Sequence, residues 1–423
     1  MKVLWLNSGL LLPLDKGGKL RTWHLMRHLA RRHEITYLSF ADPTPSGADL
    51  EGMREVCAHL DTVPRTDPPK GTPRFYAQAA RYTVDPVPYA VAKYRSGAYR
   101  ERLRALLRRT AFDAIVCDFL VPIVNMPERL PCPAILFTHN VEAEIWRRHS
   151  ENATGIARRL LAQQWRRMLR FERHALERFD LVLAVSDVDR RTFGRLYPGA
   201  VRSSVHVVQT GVDTRYFSPD ATAGVPVRPA HLVFTGSMDW LPNEDGMLYF
   251  VREILPRIRQ VEPSATLSII GRSPTPAVQR LAETAGIEVT GRVDDVRPHV
   301  AAGAIYVVPL RIGGGTRLKI FEAMAMGKAV VSTTVGAEGL PVTPGRDVII
   351  ADEPARFAEA VVHAIRDVDD RRRIELAARR LVVEQYDWSA VAADFEQALG
   401  RLANVPAAGK TAQDEPILTG VRA

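Results

Sequence analysis

A run of glycines followed by closely spaced charges stands at Gly313–Gly327, GGGTRLKIFEAMAMG. Consecutive glycines let a backbone approach a ligand closely and aim N–H groups at it. Thr316 suits a helix N-cap, the pattern predicts a helix to about Met326, and Gly327 suits its C-terminal stop. Arg317 and Lys319 then fall in the first turn, where a cation opposes the helix dipole by about 0.3–1 kcal/mol per charge. An anion bound at the helix start reverses that sign, and a diphosphate suits the glycines and the charges together. The plainer alternative is a surface loop with two solvated cations. Convergence of the glycines and both charges on one terminus favours the anion site. Glu322 follows three residues after Lys319. Its carboxylate can accept hydrogen bonds from vicinal hydroxyls, as on a ribose, or form a weak surface salt bridge to Lys319 or Arg317. Position alone leaves both open.

Elements must hold these residues in place. Short apolar runs predict strands at Val3–Leu6, Ile35–Phe40, Ala114–Cys117, Ala134–Thr138, Leu181–Val185 and Val205–Val208. A second set falls at Leu232–Thr235, Ala265–Ile270, Ile287–Thr290, Ala304–Pro309, Ala329–Thr333 and Val348–Ile350. Longer amphipathic stretches separate them, which argues for parallel sheets covered by helices on both faces. The alternation occurs twice, so the expected fold class is α/β, with two Rossmann-like, doubly wound domains facing across a cleft. Ligands of such sheets bind at the carboxyl ends of strands. Asn7, Asp118, His139, Asn140 and Ser186 fall there in the first half, and Gly236, Gly271 and Arg311 in the second. Pro, Gly and small residues near Phe217–Pro229 read as a linker. The expected division is 1–216 for the first domain, 230–385 for the second, and 386–403 for a last helix. Residues 404–423 read as a frayed tail.

The chain of 423 residues exceeds what one core usually serves, which also favours two domains. A formal charge of +9 favours acidic partners such as phosphates, nucleic acid or an anionic membrane face. Three cysteines, Cys57, Cys117 and Cys132, fit no metal spacing and read as reduced thiols of a cytosolic protein. The opening MKVLWLNSGLLLPL carries little positive charge and is broken by Asn7, Ser8 and Pro13, so it reads as a buried strand, not a signal peptide. No apolar run approaches the roughly 18 residues of a membrane span. The expected location is cytoplasmic, soluble or peripheral on the inner membrane face.

The segment Gly313–Gly327 resembles the donor-binding signature of retaining family-4 glycosyltransferases of the GT-B fold, and of their bacterial exopolysaccharide-associated subgroup in particular. The resemblance implies transfer of a sugar from a nucleotide-diphosphate donor to a glycan or lipid-linked acceptor. It implies that Glu322 binds the ribose, and that Gly313, Gly314, Gly315 and Thr316 face the diphosphate and sugar. Gly314 stands where many relatives carry the first of two glutamates, so backbone N–H groups replace a side chain there. LNSGLLLPLDKGGKLRTWHL resembles the first strand, glycine loop and first helix, placing Gly17 and Gly18 at the diphosphate side of the cleft with Arg21 near the helix start. LFTHNVEAEIW places His139 as the active-site histidine that contacts the transferred sugar. VFTGSMDWLPNEDG, with Gly236, resembles the start of the second domain. Ser237 stands where relatives often carry a basic residue, so the diphosphate charge passes to Lys319 and Arg317. GRVDDVRPHV, with Arg292 and Val293, resembles the loop against the nucleobase. YDWSAVAADFEQALGRL resembles the last helix, which in this fold crosses back to the first domain. His139, Lys319 and Glu322 are thereby the expected catalytic residues, with no protein nucleophile and the leaving phosphate assisting the acceptor.

Other signals point elsewhere. Asp187-Val188-Asp189 spells a metal-binding acidic triplet but follows Ser186 after a strand, so helix capping explains it and no metal or other cofactor is expected. The phosphate loop GxxxxGK[ST], an opening GxGxxG and HExxH are absent from the sequence. The Arg-rich stretch Ile145–Phe179 reads as a surface helix with its apolar stripe in the core, with docking on an anionic membrane as the alternative. A sugar-nucleotide epimerase of the same fold and a non-catalytic nucleotide-sugar binder are the competing functions. No base-stacking motif supports nucleic-acid binding.

Overall fold

The computed structural model describes residues 1–403 except 15, 70, 83–84, 202–204 and 313–317. The tail expected to fray lies outside the described residues. The first sheet comprises β1 (Lys2–Leu6), β2 (Glu34–Ala41), β3 (His59–Pro64), β4 (Ala114–Asp118), β5 (Ala134–Phe137), β6 (Leu181–Ala184) and β7 (His206–Val207). The second comprises β8 (His231–Thr235), β9 (Thr266–Ile270), β10 (Ile287–Gly291), β11 (Ile305–Val308), β12 (Ala329–Ser332) and β13 (Ile349–Ile350). Their orders are β3-β2-β1-β4-β5-β6-β7 and β10-β9-β8-β11-β12-β13, and neighbouring strands run parallel. Each sheet therefore reverses winding once, between β1 and β4 and between β8 and β11. Crevices open at such switch points. These are the two doubly wound domains expected.

The central strands are apolar runs because both faces are covered. In β1, Leu4 and Leu6 enter one core while Val3 and Trp5 enter the other, the period of two that a strand imposes. Strand β3 was not among the predicted strands. It lies at the sheet edge, buries little besides Val63 and ends in Pro64, so its sequence lacks the apolar run.

Seven helices matter for the cleft: α1 (Gly17–Leu29), α2 (Glu142–Asn152), α3 (Gly155–Arg178), α4 (Asp187–Leu196), α5 (Leu241–Tyr249), α6 (Leu318–Ala325) and α7 (Trp388–Ala403). The stretch read as one amphipathic helix is two, α2 and α3, separated at Ala153 and Thr154, and α3 opens on Gly155 at φ 58°. Helix α6 stops ahead of Gly327 at φ 69°, the C-terminal glycine its sequence suggests.

The last helix crosses back to the first domain. Trp388, Val391, Phe395, Ala398 and Leu402 recur at helical spacing and all enter the core beneath β1. Phe395 stacks on Trp5 at 5.6 Å and meets Phe137 edge-on at 5.4 Å. At the start of this helix, Val212 N–H donates to Tyr386 O at 2.8 Å and Trp388 N–H donates to Val212 O at 3.2 Å. The Trp388 ring stacks on His24 of α1 at 5.0 Å. A Cβ at Gly211 would lie 2.7 Å from that ring. Gly211→Ala therefore overpacks the junction and should destabilise the protein by about 1–3 kcal/mol. Thermal melting reads this as a lower midpoint, and an unchanged midpoint would show that the junction tolerates the methyl group.

Candidate active site

The floor of the cleft in the first domain is built around one carboxylate. Asp118, at the carboxyl end of β4, is fully buried. Its Oδ2 accepts from Trp5 Nε1 at 3.0 Å, Asn7 Nδ2 at 2.8 Å and Thr22 Oγ1 at 2.7 Å. Its Oδ1 lies 2.7 Å from His139 Nε2. These partners come from β1, the turn after it, α1 and the turn after β5, so the contact spans the switch point.

Burial pulls the His139 pKa below the usual imidazole value, against the attraction of Asp118. The ring is then neutral, and the bond to a carboxylate places its proton on Nε2. Nδ1 keeps its lone pair. It faces α1, since a Cβ at Gly18 would sit 3.6 Å from it. Phe119 stacks on the imidazole at 3.8 Å and 7°. To do so it adopts φ 67°, a left-handed conformation unusual for an aromatic residue and one that local packing must sustain. A Cβ at Gly18 would also meet the Phe119 ring at 2.8 Å, so glycine is needed there for the imidazole to be approached.

Helix α1 begins without a side-chain cap and without an acidic residue in its first turn. A Cβ at Gly17 would meet nothing within 4 Å. An uncapped helix start of this kind favours an anion. Arg21, expected near this helix start, is instead turned into the domain. It is buried, donates to Val208 O and lies 4.6 Å over the Phe137 ring. Burial pulls its pKa down to about 9. It joins the ends of β5 and β7 and does not line the cleft.

The second-domain residues gather at the carboxyl ends of β8 to β10 and the start of α6. Lys319 Nζ donates to Asn243 Oδ1 at 2.9 Å and lies 4.1 Å over the Phe234 ring. Asn243, in α5, in turn donates to Ser237 O at 2.9 Å, tying the loop after β8 to the lysine. A Cβ at Gly236 would fall 2.7 Å from both Lys319 Nζ and Asn243 Nδ2, so the glycine makes room for that pair. Glu322 lies one turn along α6. Burial pushes its pKa up to about 7, against the pull of Lys319. Among the described residues its carboxylate takes part in no hydrogen bond or salt bridge. Arg292 and Val293 follow β10, the arginine exposed and the valine packed on the second core. Gly313, Gly314, Gly315, Thr316 and Arg317 lie outside the described residues.

The sequence-predicted residues thus form two groups: Gly17, Gly18 and His139 in one, Gly236, Lys319 and Glu322 in the other. A cavity of about 290 Å³ connects the domains beside the first group, lined by His139, Asn140, Arg148, Ser186 and, from the second domain, Glu338 and Gly339. The acidic triplet is accounted for by α4. Ser186 Oγ accepts from Asp189 N–H at 3.1 Å, and Asp187 pairs with Arg190 at 2.7 Å. Among the described residues no three His, Cys, Asp or Glu side chains gather as a metal site would need. Sequence reasoning singled out Asp118 only as a polar strand end, and it missed Phe119 and Asn243. A polar residue closing an apolar strand is the signal for Asp118; Phe119 carries none.

Two family models match this chain. One, described as Glycosyltransferase Family 4, covers residues 16–216, and the other, described as Glycosyl transferases group 1, covers residues 229–367. A relative described as an uncharacterised 44.6 kDa protein in the cps region of Klebsiella pneumoniae is 21% identical over 68% of this chain and 74% of that one. The alpha-maltose-1-phosphate synthase of Mycolicibacterium smegmatis is 28% identical over 52% of this chain and 63% of its own length. Among solved structures, Anabaena Alr3699/HepE in complex with UDP and glucose has a TM-score of 0.63 at 14% identity, covering 95% of this chain and 100% of that chain. Sucrose-phosphate synthase from Thermosynechococcus elongatus has a TM-score of 0.65 at 16% identity, over 95% of this chain and 99% of that chain. With matches to both halves and the GT-B architecture of these neighbours, the chain belongs to the family-4 type of glycosyltransferases.

Proposed function

We propose that this protein moves a sugar from a nucleotide-diphosphate donor to a glycan or lipid-linked acceptor, with retention at the anomeric carbon. The observation that carries the reading is the second-domain cluster. A carboxylate with no protein donor among the described residues, Glu322, stands one helical turn from an ammonium, Lys319, that Asn243 and Gly236 hold in place. A ribose with vicinal hydroxyls and an adjoining diphosphate satisfies both. The UDP and UDP-glucose complexes of Anabaena Alr3699/HepE support a donor of this class.

In this reading the negative charge that develops on the departing diphosphate is met by Lys319, by Arg317 and the glycines Gly313–Gly315 with Thr316, and by the open N-terminus at Gly17 and Gly18. No metal is then required. Arg292 and Val293 flank the nucleobase. His139, neutral and with Nδ1 unprotonated, accepts a hydrogen bond from a hydroxyl of the transferred sugar. The leaving phosphate takes the acceptor's proton, so no protein nucleophile is called for. Retention and a role in exopolysaccharide synthesis rest on the family resemblance and on the Klebsiella relative's description. An epimerase would need free acid–base carboxylates around the sugar, whereas Asp118 beside His139 is held by four partners.

The acceptor enters from the first domain, where a cavity of about 520 Å³ lies at the ends of β1 to β3, lined by Gly9, Lys19, Asp42, Asp49, Arg65 and Tyr94. The first turns of α3 expose Ile156 and Leu160 among Arg158 and Arg159, which supports peripheral contact with an anionic membrane. Sedimentation with vesicles containing anionic lipid should carry the protein down, and equal sedimentation with neutral vesicles would remove this contact.

Thermal shift with UDP and GDP tests the donor class. Stabilisation by one and not the other fixes the base, and none by any nucleoside diphosphate would overturn the reading. In calorimetry Glu322→Ala should lose about 1.5–3 kcal/mol of nucleotide affinity, about 10- to 150-fold. An unchanged dissociation constant would remove Glu322 from the ribose site.

The pH dependence follows with a definite sign. The free protein carries a proton on Glu322 below about pH 7, and the ribose-bound form favours the charged acceptor. Nucleotide affinity should therefore rise from pH 6 to pH 8 and then level off, with protons released on binding below pH 7. A flat profile in wild type, measured beside Glu322→Gln, would contradict this.

A further inference from the structure

Helix α2 begins directly after the turn that carries His139, and it cannot cap itself. Its N-cap position is Val141, whose side chain has no hydrogen-bonding atom and is buried in the first core. The amides of Glu142 and Ala143 belong to a half-buried and a fully buried residue. Unmet, they would each cost about 1–3 kcal/mol. The partner comes from the neighbouring helix. Glu172 of α3 is fully buried, its Oε1 accepting from Glu142 N–H at 2.8 Å and its Oε2 from Ala143 N–H at 3.2 Å. Tyr197, which follows α4, donates its hydroxyl to the same Oε2. One carboxylate thus joins α2, α3 and the end of α4.

A helix start is ordinarily capped by a Ser, Thr, Asp or Asn at the cap position itself. Here that position faces the core, and the cap is a buried carboxyl group delivered from another helix, its pKa pushed up to about 7 by burial against the pull of its three donors. Its location is informative. On the upstream side of the turn, Thr138 N–H and Oγ1 both donate to Leu183 O, at 2.9 and 2.8 Å. On the downstream side, Glu172 holds residues 142 and 143. The two clamps bracket His139 and Asn140, and between them the imidazole reaches Asp118 at 2.7 Å.

We propose that Glu172 is a positioning residue for His139: by capping α2 from α3 it fixes the turn that aims the imidazole at the cleft. This rests on the reading of His139 as the group that meets the transferred sugar. The role predicts that disturbing Glu172 changes the setting of His139 and leaves the nucleotide site of the second domain as it was.

The test uses the full chain and the imidazole ¹⁵N resonances of His139, assigned by their disappearance in His139→Gln. In Glu172→Gln, an amide nitrogen replaces one acceptor oxygen, leaving an α2 amide unmet. The His139 resonances should shift, and its titration midpoint should rise towards the ordinary value of about 6.5 as the ring becomes solvated. UDP affinity by calorimetry should match wild type. With a donor found in the nucleotide screen, kcat should fall by up to about 100-fold, the effect a displacement near 1 Å can have, with little change in KM. A folded Glu172→Gln variant with wild-type His139 resonances and midpoint would overturn the proposal. If Glu172→Gln does not fold, Glu172→Asp decides, since the shorter side chain keeps a carboxylate but draws it away from the two α2 amides. A shifted His139 resonance there sustains the proposal, and an unchanged one overturns it. Failure to bind any nucleotide would sink the transferase reading and still leave the His139 spectrum to report on Glu172.

Discussion

A negative charge sealed away from water must be met by donors on every side or it will not stay charged. In the first domain that charge is Asp118, and its four partners determine the shape of the cleft floor. Trp5 and Asn7 bring the end of β1, Thr22 brings α1, and His139 brings the turn after β5. The bond to His139 fixes which ring nitrogen carries the proton and leaves the other facing α1. The second domain treats its carboxylate in the opposite way. Glu322 is half-buried, no hydrogen-bond donor among the described residues meets its carboxylate, and desolvation raises its proton affinity. One acid is saturated by the protein and organises it, while the other has no hydrogen-bond donor among the described residues.

Much of the frame is legible in the sequence because parallel strands covered on both faces must be apolar throughout, and such runs stand out. Strand β3 is the exception, since an edge strand with one buried residue has no such run. The residues that close the runs, polar Asn7, Asp118 and His139 and the glycine Gly236, lie at the cleft as strand ends should. Their mutual contacts are a different matter. Asn7 meets Asp118 across 111 residues only because β1 and β4 are neighbours, and strand order is not written in local periodicity. Asn243 likewise reads as an ordinary helix start until the fold sets it against Lys319. Phe119 is less legible still, because nothing about a phenylalanine announces a left-handed backbone. Glu172 hides for a related reason: it sits mid-helix, and the amides it caps are 29 and 30 residues upstream.

The two clusters around the cleft also differ in how they are built. The first is a closed network in which each group has its partner before any ligand arrives, which suits a surface that must present a lone pair at a fixed angle. The second is open, with Lys319 anchored and Glu322 waiting. On the proposed reading, a nucleotide gains its hydrogen bond to Glu322 only on binding, and ligands lacking the matching hydroxyls should be rejected.

The crossing of α7 ties together the ends of the chain. Phe395 fills the space beside Trp5 and Phe137, so the floor beneath β1 is completed by residues that come almost four hundred positions later. As the polypeptide emerges during synthesis, the first domain reaches its full length long before that aromatic ring exists. It must wait with an apolar trough open on its underside while the second domain forms. The order of assembly is therefore inverted relative to the order of the sequence: the second domain can close on its own residues, and the first is finished last.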